Sequence, residues 1–102
     1  MNTPPRIVEP DTSQDLVLVM EFEWNQVTAF ARDPDGDVLN FDWVGPLGAE
    51  IETLDGGDGA LQYSTFRIRR DPELDGTRVT LAVDDGEDAR FAEWTLAMPG
   101  GK

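Results

Sequence analysis

Apolar side chains in this chain recur at every second residue. QVTAFAR sets Val27, Ala29 and Ala31 on one side, and VLNFDWV does the same with Leu39, Phe41 and Trp43. RVTLAVD repeats the beat with Val79, Leu81 and Val83, AEWTLAM with Trp94, Leu96 and Met98, and STFRIRR with Phe66 and Ile68. AEIETL at 49–54 reads as a weaker, edge-like strand, and RIV at 6–8 and DLVLVM at 15–20 complete the set. Side chains alternate across a strand with period 2, whereas a helix repeats every 3.6 residues. The clusters DPDGD, GPLG, DGGDG, DPELDG and DDGED punctuate the runs, as turns between short strands require. RRDPELDG has room for one helical turn. The expected fold is all-β: an antiparallel sandwich of about seven strands, each apolar face meeting a second sheet about 10 Å away. Trp43, the largest inward group in the strands expected to be central, is expected at the core centre beside Val83 and Trp94.

With 102 residues the chain suits a single domain, 1–102, in which PGGK at 99–102 reads as a flexible tail. A net charge of -13 repels phosphate backbones and anionic lipid, so neither nucleic acid nor membrane insertion is expected. No apolar run approaches the ~20 residues of a spanning helix. Cysteine and histidine are absent. That removes disulfides, thiolate zinc sites and the usual general base, and leaves only hard, oxygen-binding metals.

The stretch RDPDGDVLNFDW at 32–43 admits three readings. As a turn, Pro34 pre-sets φ, aspartates cap nearby amides and Gly36 accepts positive φ. As a calcium site, Asp33, Asp35 and Asp37 supply the hard oxygens that calcium collects at about 2.3–2.6 Å, with Asp84 and Asp85 in VDDGED as further donors. The spacing is not that of an EF-hand: Val38 stands at the glycine position and Val44 at the bidentate glutamate position. As a catalytic pair, the carboxylates need a cleft that desolvates one of them, and short-looped sandwiches offer none. Ser13 and Ser64 lack a histidine to activate them. No enzyme is expected.

NTPP at 2–5, DPDGDVLNFDW at 33–43 and DGTRVTLAVDDG at 75–86 resemble, in order and spacing, the immunoglobulin-like modules of the PKD and cadherin-like group. These occur in bacterial and archaeal envelope and secreted proteins. The resemblance runs from Asn2 to about Met98. It departs from the common pattern in two places: the signature Trp-x-Phe-Gly-Asp-Gly is absent, because Trp43 is followed by VGPLG, and DGTRV lacks the usual tyrosine. The chain is thus similar to a divergent member. The resemblance implies an extracellular or cell-envelope module, monomeric as an isolated domain. Its role would be that of a spacer or an adhesion domain contacting a protein partner or a neighbouring domain. An alternative is an accessory carbohydrate-binding domain of a secreted hydrolase; another is strand addition at an edge such as LVLVM. It also implies calcium held by Asn2, Asp33, Asp35 and Asp85, to which the spacing adds Asp37.

Phe30 has the parity opposite to Val27, Ala29 and Ala31, and so is expected to point outward. Trp24 and Tyr63 are candidates for partial exposure. A shared patch of these three rings would suit a sugar or protein partner; otherwise they cover gaps between loop and sheet. Arg67, Arg69 and Arg70 form the one basic cluster, read as balancing the acidic surface or, alternatively, as docking an acidic neighbour such as another copy of the module.

Overall fold

The computed structural model describes residues 5–58 and 61–99. Among them lie eight strands: β1 Arg6–Glu9, β2 Leu16–Val19, β3 Trp24–Arg32, β4 Asn40–Val44, β5 Ile51–Asp58, β6 Leu61–Arg69, β7 Arg78–Asp84 and β8 Ala89–Ala97. A single 3-10 turn, Pro72–Leu74, fills the stretch with room for one helical turn, and the Asp71 side chain caps its Glu73 N–H.

The strands form two four-stranded sheets, ordered β1-β3-β6-β5 and β2-β8-β7-β4. All pairings are antiparallel except β2 with β8, which run parallel. Two facing sheets joined by crossovers in this order make an immunoglobulin-like sandwich. The strand count exceeds seven because the N-terminal run divides. β1 pairs with β3; then the chain crosses at a cis Glu9–Pro10 peptide and β2 joins the other sheet beside β8.

The two-residue beat holds in space. Ala29, Ala31, Phe66, Ile68, Val79, Leu81, Val83, Trp94 and Leu96 are buried, and the residues between them turn outward. The core divides into a cluster around Ala31, Leu81, Val83 and Trp94 and a second around Met20, Phe66, Val79 and Leu96.

Two expectations are corrected. Trp43 lies on β4, an edge strand, and is half-buried; the centre belongs to Phe66, which is fully buried. The indole nevertheless reaches inward between the two clusters, stacked on Phe66 at 5.0 Å and tilted against Trp94 at 5.3 Å. DGGDG, read as a turn, is instead largely strand: β5 continues through Asp55, Gly56, Gly57 and Asp58. Glycine permits this because the Tyr63 ring lies across Gly56, where a Cβ would collide with ring carbon Cζ. Of the tail read at 99–102, residues 100–102 lie outside the described residues.

Candidate metal centre

The inward parity of Ala29 and Ala31 continues past the end of β3. It carries Asp33 into the interior, where the residue is 3% exposed. The turn then forms as the residue types dictate. Asp35 N–H donates to Asp33 Oδ1 at 2.8 Å, Gly36 N–H donates to the Asp33 carbonyl at 3.0 Å, and Gly36 adopts φ +76°. This loop joins β3 in one sheet to β4 in the other, so it spans one end of the sandwich and is not a hairpin.

Asp33 Oδ2 is buried and has no hydrogen-bond partner among the described residues. A buried charged oxygen without a partner is strongly unfavourable, and native structures rarely leave one. Asp35 and Asp37 are exposed, and one carboxylate oxygen from each of Asp33, Asp35 and Asp37 lies within 4.8 Å of the others. The charge of Asp33 holds the Asp37 carboxyl above its ordinary value, followed by desolvation, by the charges of Asp35 and Asp85, and last by hydrogen bonding of its protonated form to the Asp33 side chain. Three converging carboxylates, one of them buried, form a set of hard donors that fits a divalent cation such as calcium.

The other residues named from the sequence stand differently. Asp85, in the β7–β8 loop, is near enough for its charge to act on Asp37. Its Oδ1 accepts from Glu87 N–H at 2.9 Å and Asp88 N–H at 2.8 Å, so it also shapes its own turn. Asp84 accepts from Gly86 N–H at 2.9 Å. Asn2 lies outside the described residues.

Sequence reading missed Gln62. On β6 it occupies an inward position in line with Ser64, Phe66 and Ile68 and is buried. Its Nε2 donates to the Asp37 carbonyl at 2.9 Å, and its Oε1 accepts from Leu39 N–H at 3.0 Å. The signal was present: a polar amide at an inward position must find partners.

The aromatic residues share the outer face of the β1-β3-β6-β5 sheet without merging. Phe30 does point outward, and it sits opposite Tyr63 with ring centroids 5.7 Å apart. Trp24 lies six residues earlier on β3, with the Arg67 guanidinium 5.1 Å above its ring. All three are half-buried. Arg67 pairs with Glu52 at 2.7 Å, and Arg69 with Glu23 at 3.2 Å and Glu50 at 3.3 Å. These exposed pairs contribute about 0–1 kcal/mol each.

No family model matches the chain, and no curated protein matches it. Among solved structures, the chain is similar to the N-terminal Ig1-2 module of the Drosophila receptor protein tyrosine phosphatase DLAR. The TM-score is 0.60 at 18% identity, over 94% of this chain and 49% of that one. The chain therefore spans about half the length of that two-domain module, and the likeness, like the strand order, is that of an immunoglobulin-like fold.

Proposed function

We propose that this chain is a non-enzymatic interaction module of an extracellular or cell-envelope protein, with its β3–β4 loop end set by a bound divalent cation, calcium by preference. The observation that carries the reading is the buried Asp33 Oδ2, without a partner among the described residues, beside the carboxylates of Asp35 and Asp37. A cation supplies the partner that this oxygen lacks and offsets the mutual repulsion of the three groups. Asp33, Asp35 and Asp37 would hold it. The resemblance to PKD and cadherin-like modules supports Asp33 and Asp35 as ligands, with Asp85 and Asn2 beside them.

Contact with a protein partner is supported by the outer face of the β2-β8-β7-β4 sheet. Val17, Val44 and Phe91 are exposed there, with Phe91 opposite Ala82. A sugar platform is less well supported, because Trp24 is separated from the Phe30–Tyr63 pair and covered by Arg67.

Calorimetric titration with calcium chloride tests the cation site. The wild-type chain should bind one equivalent. Asp33→Asn should bind none, and in chelator it should be at least as stable as wild type, because it removes a repelling buried charge. Equal calcium binding by both proteins would refute the reading.

A further inference from the structure

We infer that Gln62 is a positioning residue for this cation site. It would fix the last carboxylate of the loop from a strand that contributes no ligand. The inference rests on the cation reading above and extends it to a residue outside the acidic loop.

Each carboxylate of the cluster is placed by a different device. Asp33 is set by the end of β3. Asp35 is set by its own N–H, bonded to Asp33 Oδ1. Asp37 carries a carboxylate that faces the charges of Asp33, Asp35 and Asp85. Its backbone is held by the Gln62 amide, which grips the carbonyl of Asp37 and the N–H of Leu39, one residue on either side of Val38. Both bonds come from one buried side chain on a central strand that is paired on both flanks, with Ala31 of β3 and Gly57 of β5. The anchor is therefore rigid.

The chemistry selects glutamine. The loop presents an acceptor and then a donor, so the gripping group must donate and accept at once. A carboxylate lacks the donor, an apolar side chain lacks both, and asparagine is one methylene shorter. With the grip gone, repulsion from Asp33 and Asp35 would swing Asp37 outward, and each binding event would have to reassemble the site. Groups that orient ligands in this way typically change metal affinity by about 10–100-fold when removed.

The test compares calcium affinity by calorimetric titration in wild type, Gln62→Met and Gln62→Glu, at a temperature where circular dichroism shows each to be folded. The expected result is a rise in Kd of about 10–100-fold for Gln62→Met. Gln62→Glu, which keeps the acceptor for Leu39 N–H, should fall between Met and wild type. A merely structural glutamine would lower the melting temperature in chelator and leave the Kd of the folded protein unchanged; that result overturns the inference. If wild type itself binds no calcium, the cation reading fails and takes this inference with it. If wild type binds and both variants match it, only the role of Gln62 fails. Should Gln62→Met not fold, the Gln62→Glu titration decides alone, by the same rise or constancy of Kd.

Discussion

The indole N–H of Trp43 donates to Ser64 Oγ at 2.8 Å, tying an edge strand of one sheet to a central strand of the other. Ser64 passes the bond on to Asp55 Oδ1, so three strands share one polar chain through the sandwich. The chain contains no cysteine, and this link is one of the directional contacts between its layers.

Removing the link should show its worth. Ser64→Ala leaves the indole N–H unsatisfied and should cost about 1–3 kcal/mol. Trp43→Ala also removes the ring packed on Phe66 and Trp94 and should cost about 3–5 kcal/mol. Urea unfolding of the two single variants and the double variant measures the coupling. Strict additivity would mean that the hydrogen bond contributes nothing.

Gly56 is predicted to resist substitution. The Tyr63 ring occupies the space of any added Cβ, and Tyr63 in turn leans on Phe30. Gly56→Ala should therefore destabilise by about 1–3 kcal/mol. Combining it with Tyr63→Ala should remove the clash, so that the double variant is more stable than the sum of its parts. A neutral Gly56→Ala would show that the ring is free to move aside.

The pH dependence of the metal-free protein carries the signature of the cluster. Asp37 has a folded-state pKa raised above the ordinary value of 3.8, with the Asp33 charge as first cause. The folded state thus holds this proton more tightly than the unfolded chain does. As pH rises from below 3.8 through the raised value, the unfolded state loses its proton first, and this group's contribution to stability falls. Asp37→Asn should lessen that fall. Denaturant midpoints in chelator, compared between the two proteins across this window, measure the difference. Parallel profiles would mean that the carboxylates do not repel one another as placed.

Much of the sandwich was legible because alternation maps directly onto which face of a strand is buried. Val79, Leu81 and Val83, or Trp94 and Leu96, needed no tertiary information. Edge or centre was not legible. NFDWV alternates identically in either position, so only the pairing of β4 with β7 alone among the strands reveals that Trp43 lies on a border. The DGGDG stretch misled because glycine marks turns and also marks places where a ring from the next strand lies on the backbone, as Tyr63 does on Gly56.

The candidate site was half legible. Asp33, Asp35 and Asp37 could be named from spacing alone, but burial separates Asp33 from the other two, and that follows from parity running past the end of β3. The hold of Gln62 on Asp37 and Leu39 joins residues more than twenty positions apart, which no local pattern encodes.

Thermal unfolding of the wild-type chain with calcium and with chelator tests the central claim most directly. At a hundredfold excess over Kd, binding to the folded state alone adds about 2.7 kcal/mol. For a domain of this size that raises Tm by roughly 10–20 °C. A clear upward shift with calcium, absent in Asp33→Asn, is the predicted result. Identical melting curves in millimolar calcium and in chelator would contradict the account and leave the three aspartates as a turn.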